Sequence, residues 1–401
     1  MSDLKATSGQ PLDRVQRRLL QELSSDITAV RLRGLGKVTR VARSLPMYLP
    51  SRHPLGRSIG ILGCDSPDSA ASLVDFREVL PARTVPAGAE RTIEAAPLYA
   101  CSVDRGTLLT DAVLFYGVLT SNNLLVAEVS ADHGSKGGDW ASFRRLKRLP
   151  PQIHIESGAS LLTGGGGLSN YGHWLYDVLP RLHVLRLAEV IPPNAHYLVP
   201  PIDVEFKHTS LERLGISSER CIGVGRPTAV AADTIAASSG HRSSGRVEPW
   251  IPEFLRDAFL PESPQSGLRL YVNRRDTKIR RVLNEEALET VLAQRGFRSI
   301  SASDFDFQDK LDLYSSAEII VAPYGAGLAN IAFCSPGTHV VQIHGEDWAD
   351  PFFGDVARAT NLRFTSLSAL RTVSPSWMPD IIRHLEVDVE RVVSTVDDIL
   401  N

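Results

Sequence analysis

The sequence predicts an α/β protein of two domains, each built on a parallel sheet, with a C-terminal helix docking back on the second. Three observations carry that expectation. The chain has 401 residues, above the ~250–300 over which a single core usually grows. From Ala159, strand-like and helix-like stretches alternate, and a second such series begins at Leu268, the pattern of a parallel sheet with crossover helices. Between them, Ser238 to Gly267 is rich in Ser, Gly and Pro around one short helix, as a hinge would be. The expected organisation is a basic arm over 1–57, an N-terminal domain over 58–245, a hinge over 246–267 and a C-terminal domain over 268–401.

Residues 59–130 read as short strands and turns, in "SIGILG", "TLLTDAVLFYGVL" and "NLLVAEVS". The α/β series comes next: strand "ASLLTG", helix "SNYGHWLYDVLPRLHVL", strand "AHYLVP", helix "VEFKHTSLERLG" and strand "ERCIGVG". In the second series "LRLYVN" is a strand, and "NEEALETVLAQRG" is a helix with Asn284 at its N-cap and Gly296 past its end. "FRSIS", the helix "FQDKLDLYSSA", the buried strand "EIIVAP" and the strand "HVVQIH" complete the sheet. In "DVERVVSTVDDIL", Val389, Val392, Val393, Val396 and Ile399 form the docking face of a terminal helix.

Composition excludes several function classes. With 43% hydrophobic and 22% charged residues and no long apolar run, the chain reads as soluble and globular. Its first residues lack the apolar stretch of a secretory signal, so a cytoplasmic location is expected. Cys64, Cys101, Cys221 and Cys334 are far apart, which argues against a disulfide framework and a structural zinc site. A net charge of −3 argues against a nucleic-acid binder. Asp13 to Arg57, however, holds ten Lys/Arg against three Asp/Glu. That arm reads either as a solvated terminal helix and linker or as a peripheral contact with an anionic membrane surface or lipid-linked acceptor.

Three stretches could carry chemistry. In "VAPYGAGLAN" a strand ends in Gly325-Ala326-Gly327 and passes into a helix, so its N–H groups could meet a diphosphate at the helix N-terminus. Glycine needed for turn geometry alone explains the same letters. In "YVNRRDTKIRRVLNEE", Arg274, Arg275, Lys278, Arg280 and Arg281 cluster past the end of a strand, where ligands bind in open α/β sheets. Guanidinium forks suit phosphate oxygens there; a solvated surface run is the alternative. In the helix after "TGGGG", His173, Asp177 and Arg181 recur every fourth residue and should share a face. Such a row could be a base with its orienting partner or a surface ion pair with a satisfied histidine. Pro180 lacks the N–H that would bond Tyr176, and a kink is expected between Asp177 and Arg181. No G-x-S-x-G, H-E-x-x-H or P-loop pattern is present. "DFD" at Asp304 to Asp306 reads as helix capping rather than as metal ligands.

Taken in order, "NYGHWLYDVLPRL", "YVNRRDTKIRRVLNEEAL" and "SSAEIIVAPYGAGLANIAFCSPGTHVVQI" resemble the family 61 glycosyltransferases, over less than half of the chain. Arg274, Arg280, Asn284 and Glu285 match the family's R-x(5)-R-x(3)-N-E pattern, and His173, Trp174, Asp177, Leu179, Pro180, Arg181 and Leu182 its helix pattern. The resemblance departs at Tyr324, where the family commonly carries His. It implies a GT-B architecture of two Rossmann-like domains facing across a cleft, inversion at the anomeric carbon and no metal. The resulting expectation is a glycosyltransferase moving a sugar from a nucleoside-diphosphate donor, expected to be UDP-linked, to a glycan acceptor of a capsule, lipopolysaccharide or other surface polysaccharide. No cofactor is expected beyond this co-substrate. Asp177 and His173 are the candidate base. Arg274, Arg280, Tyr324, Gly325, Ala326, Gly327 and Asn330 form the candidate donor site, with Asn170, Arg181, Asn284 and Glu285 in support. A catalytically silent nucleotide-sugar or glycan binder and a nucleotide-sugar epimerase are the alternatives.

Overall fold

A computed structural model of the chain describes residues 47–48, 58–59, 61–62, 74–86, 92–133, 140–146, 148–240, 246–260, 267–346, 350–371 and 383–401. The basic arm therefore lies outside the described residues apart from the short strand Met47–Tyr48. The described chain forms two compact units that divide between Ala258 and Phe259. No helix among the described residues is long and apolar enough to cross a membrane.

The N-terminal unit is a mixed sheet. Its antiparallel part contains β1 (Val74–Leu80), β2 (Leu98–Asp104), β3 (Thr107–Thr110) and β4 (Phe115–Leu119). The β3–β4 turn is closed by Asp111, whose Oδ1 accepts the N–H groups of Val113, Leu114 and Phe115 at 2.7–3.0 Å. Its parallel part contains β5 (Gln152–Ser160), β6 (His196–Val199), β7 (Cys221–Gly223) and β8 (Thr228–Ser238), in the order β7-β6-β5-β8. β8 also pairs antiparallel with β2 and β3, which joins the two parts.

A continuous helical run, α1, spans 171–187 after β5, and α2 (Glu205–Arg213) comes after β6. Pro180 does not simply kink α1. The run is α-helical at Tyr171–His173, π-wound at Trp174–Val178 and α-helical again at Leu179–Leu187. The wider turn bonds Leu179 N–H to the Trp174 carbonyl, one residue further back than in an α-helix, just before the ring that has no N–H to give. The expected hinge contains α3 (Trp250–Phe259). Within the N-terminal unit His183 of α1 stacks on Trp250 and Phe254 of α3, with ring centroids 5.8 and 4.8 Å away.

The C-terminal unit is doubly wound. β9 (Leu268–Val272), β10 (Phe297–Ile300), β11 (Ala317–Pro323), β12 (His339–Gly345), β13 (Arg363–Arg371) and β14 (Leu385–Glu386) lie in the order β10-β9-β11-β12-β13-β14. All pairings are parallel except β13 with β14. α4 (Glu285–Ala293) leads outward from β9 to β10, α5 (Phe307–Ser315) leads back past β9 to β11, and α6 (Phe352–Ala359) lies between β12 and β13. The order thus reverses between β9 and β11, and the crevice beyond their carboxyl ends is where such sheets bind ligands.

One face of this sheet packs Tyr271, Val341, Ile343 and Leu367 against Leu288 and Leu292 of α4 and Val392 and Val396 of α7 (Val389–Leu400). The terminal helix docks through Val389, Val392, Val396 and Ile399 of the expected stripe, with Leu400 rather than Val393 beside them, and Arg295 beyond α4 holds Asp397 with two bonds of 2.6 and 2.8 Å. Near α5, Phe259, Phe307 and Phe333 form an edge-to-face trio. Asp306 caps α5 by accepting Asp309 N–H at 2.8 Å, the capping role expected for "DFD".

Burial lowers the pKa of His133, His183, His339 and His384 below the ordinary histidine range. Each therefore binds a proton more readily unfolded than folded. Their contribution to stability is full above the unfolded value of about 6.5 and is lost as pH falls through the lowered folded values. The urea midpoint is expected to drop between pH 7.5 and 5. His183→Phe, which keeps a ring on Trp250 and Phe254 but cannot titrate, should make that slope shallower; an unchanged slope would rule out His183 as a contributor.

Candidate active site

Two groups of the expected residues are assembled, one in each unit. In the N-terminal unit the chain leaves β5 at Ser160, runs through the glycines of 164–167 and enters α1 at Asn170, whose side chain accepts His173 N–H at 3.1 Å. This cap sets the first turn, where the N–H groups of a helix start have no partner within the helix. One turn on, His173 Nδ1 and Asp177 Oδ2 are 2.5 Å apart. Their side chains are 14% and 17% exposed, so the pair is largely withdrawn from water yet still open to a substrate. The carboxylate accepts Nδ1–H and so orients the ring.

Arg181 does not join them. It is 4% exposed, donates to the Ser238 carbonyl at 2.6 Å and the Tyr116 hydroxyl at 2.5 Å, and lies 5.0 Å from the Tyr116 ring centroid. The expected row on one face, and the Asp177–Arg181 ion pair with it, is corrected here. The π-turn adds a residue to the winding between the two, so the four-residue spacing no longer stacks them. Arg181 instead ties α1 to the ends of β8 and β4.

Lys207 had no signal in the sequence. On α2 and 2% exposed, it gives its three N–H donors to the Leu168 and Pro201 carbonyls and Asp203, at 2.9, 2.7 and 2.9 Å. It also lies 5.7 Å from the Trp174 ring centroid. A buried ammonium needs such full pairing, and the pairing anchors the approach to Asn170. The Trp174 indole donates to Ser210 at 2.9 Å, fixing α1 on α2.

In the C-terminal unit the arginine run separates by burial. Arg274 and Arg280 are buried, whereas Arg275, Lys278 and Arg281 are exposed. Arg275 pairs with Glu289 and with Glu285. Arg274 lies at the end of β9 against the Gly325 backbone, with its Nε and Nη2 at 3.4 and 3.3 Å from the Ile279 carbonyl. A Cβ at Gly325 would stand 1.5 Å from Arg274 Nη1. Any larger residue at 325 would therefore have to displace that guanidinium, while the backbone itself, with φ of 170°, is ordinary extended chain.

Arg280 has φ +51°, a left-handed conformation that costs a residue with a side chain about 1–2 kcal/mol. Its guanidinium is 5.3 Å from the Tyr324 ring centroid, and that ring packs on Phe353 at 5.0 Å. Two cations thus lie beyond β11, Arg274 against the Gly325 backbone and Arg280 over the Tyr324 ring.

After Gly325 the chain passes into the expected helix, which is wound as 3₁₀ over Ala326–Phe333. The Gly327 carbonyl accepts from the Tyr314 hydroxyl at 2.7 Å and from Asn330 Nδ2 at 3.1 Å. A Cβ on Gly327 would meet Val272 at 2.9 Å, so the helix start lies tight on β9. Asn330 is fully buried, and its observed contact shapes the turn. Burial pushes the Tyr314 phenol up, and it stays a donor.

Asn284 and Glu285 are also structural. Asn284 does not cap α4 with its side chain; it exchanges two bonds with the backbone of Val387, at 2.7 and 3.0 Å. Glu285 Oε1 accepts from the Tyr271 hydroxyl at 3.0 Å and from Arg274 N–H at 3.2 Å. Burial, and next the Glu285 charge, keep the Tyr271 phenol protonated. No group of three His, Cys, Asp or Glu that could hold a metal occurs among the described residues.

The two groups can therefore do two things: orient an imidazole with a carboxylate, and receive an anion on two buried guanidiniums beside a glycine turn. Residues 171–341 match the sequence model of a family described as Glycosyltransferase 61. The match contains His173 and Asp177 as well as Arg274, Arg280 and the Gly325 turn. No curated protein matches the chain.

Proposed function

Through residues 171–341 the chain belongs to glycosyltransferase family 61 and is a glycosyltransferase, and from that premise we propose an inverting, metal-independent transfer from a nucleoside-diphosphate sugar to a glycan hydroxyl. The observation that carries this reading is the placement of buried Arg274 against Gly325 and of buried Arg280 over the Tyr324 ring, at the strand-order reversal. Fixed positive groups placed where a diphosphate departs stabilise the transition state without reorganising.

The proposed step is a single displacement. The acceptor hydroxyl gives its proton to the His173–Asp177 pair, and its oxygen bonds the anomeric carbon from the face opposite the diphosphate. The anomeric C–O bond breaks with its electrons leaving on the nucleoside diphosphate, whose charge meets Arg274, Arg280 and the turn of Gly325, Ala326 and Gly327. This reading gives the donor to the C-terminal unit and the acceptor to the N-terminal unit, in the GT-B manner. It places the enzyme in the cytoplasm, building a capsule, lipopolysaccharide or related surface glycan, with a membrane-surface contact assigned to the basic arm.

The test is a panel of nucleoside-diphosphate sugars with glycan acceptors in the presence of EDTA. Transfer with inverted anomeric configuration is expected to persist. Loss of transfer on chelation, or a retained configuration, would reject the corresponding part of the proposal.

A further inference from the structure

The loop that carries the chain from β5 into α1 contains four consecutive glycines, 164–167, and glycine has the freest backbone of any residue. Yet this loop leads to the cap that sets His173 and Asp177. We infer that His133 is a positioning residue for that pair, fixing the loop from outside it; this rests on the acid–base role proposed above.

His133 Nε2 lies 2.8 Å from the Thr163 carbonyl. A carbonyl only accepts, so Nε2 carries the proton and donates it. The same ring lies against the first glycine of the run, where a Cβ at Gly164 would stand 2.9 Å from His133 Cδ2. Gly164 has φ +65°, a left-handed turn that glycine makes without strain. Further along, Lys207 holds the Leu168 carbonyl at 2.9 Å. Side chains from elsewhere in the fold thus clamp the glycine run on both sides.

His133 is itself held in place. Its N–H donates to the Leu114 carbonyl at 2.8 Å, and Leu114 N–H is one of the three that Asp111 accepts. Its neighbour Asp132 accepts Ser142 N–H at 2.8 Å. Two residues beyond Leu114, the Tyr116 hydroxyl accepts from Arg181 of α1. The segment entering β4 therefore fixes the approach to α1 through His133 and the later part of α1 through Arg181. Burial lowers the pKa of His133; the Thr163 bond and the Asp177 charge oppose that shift, and Arg181 adds to it. The ring is therefore neutral at pH 7 and brings no second cation to Asp177.

The test is kcat with saturating donor for two amide variants of His133, each alone and combined with Asp177→Asn. A glutamine amide reaches the place of Nε2 and keeps a donor for Thr163, whereas asparagine is one carbon too short. His133→Asn is expected to lower kcat by about 10- to 100-fold, the cost of misplacing a catalytic group by about 1 Å, with nucleoside-diphosphate affinity unchanged. His133→Gln should stay near wild type. In the Asp177→Asn background His133→Asn should cost nothing further, because a residue that acts through the pair has nothing left to position. A general loss of folding would instead lower both backgrounds by the same factor, and that additive result overturns the inference. A Gln variant as slow as Asn, or an Asn variant as fast as wild type, overturns it as well. Near-normal kcat for Asp177→Asn alone rejects the acid–base role itself, and the inference falls with it.

Discussion

Asp177→Asn is expected to lower transfer by about 10²–10⁴-fold, the range of general acid–base catalysis, with nucleoside-diphosphate affinity kept. The carboxylate accepts His173 Nδ1–H at 2.5 Å, and an amide there can donate instead, turning the ring to the other tautomer. His173→Gln should cost a comparable factor. The double variant should be little worse than either alone, because residues that act as a unit are not additive. The relevant measurement is kcat with saturating donor for the three variants. A near-normal kcat for Asp177→Asn would remove the pair from catalysis, and additive losses would separate its two members.

The second large effect is expected at Gly325→Ala. Alanine adopts the extended backbone of this position freely, so the cost arises from its methyl group, which needs the space that Arg274 Nη1 fills. Displacing a guanidinium from a charged ligand costs about 1.5–3 kcal/mol, or roughly 10- to 100-fold in donor KM. Arg274→Ala should show the same loss, and the double variant no further loss. Independent losses would mean that Gly325 acts by some route other than seating Arg274.

The C-terminal unit is legible in the sequence because its signals are local. Asp306 at a cap, Gly296 past a helix end and the valine stripe of the last helix each depend on neighbours within a turn or two. The separation of Arg274 and Arg280 from the other cations is legible only as spacing. Burial divides them, and burial depends on β11 and the turn of Gly325, about fifty residues away in sequence.

Arg181 is misplaced by a 3.6-residue period because the segment before Pro180 is wound wider. Its partners, Ser238 and Tyr116, are remote in sequence. Lys207 reads as one more surface lysine of an amphipathic helix until Leu168, Pro201 and Asp203 surround it. The turn after Gly325 has the letters of an α-helix start. Its 3₁₀ winding accompanies Asn330, three residues on, and Tyr314, from α5, both bonding the Gly327 carbonyl.

The central claim is that Arg274 and the Gly325 turn receive the donor's diphosphate while His173 and Asp177 serve the acceptor. Calorimetric titration of wild type, Asp177→Asn and Arg274→Ala with the preferred nucleoside diphosphate tests it most directly. The account predicts equal affinity for wild type and Asp177→Asn, and binding at least tenfold weaker for Arg274→Ala. Equal binding by all three proteins would contradict it.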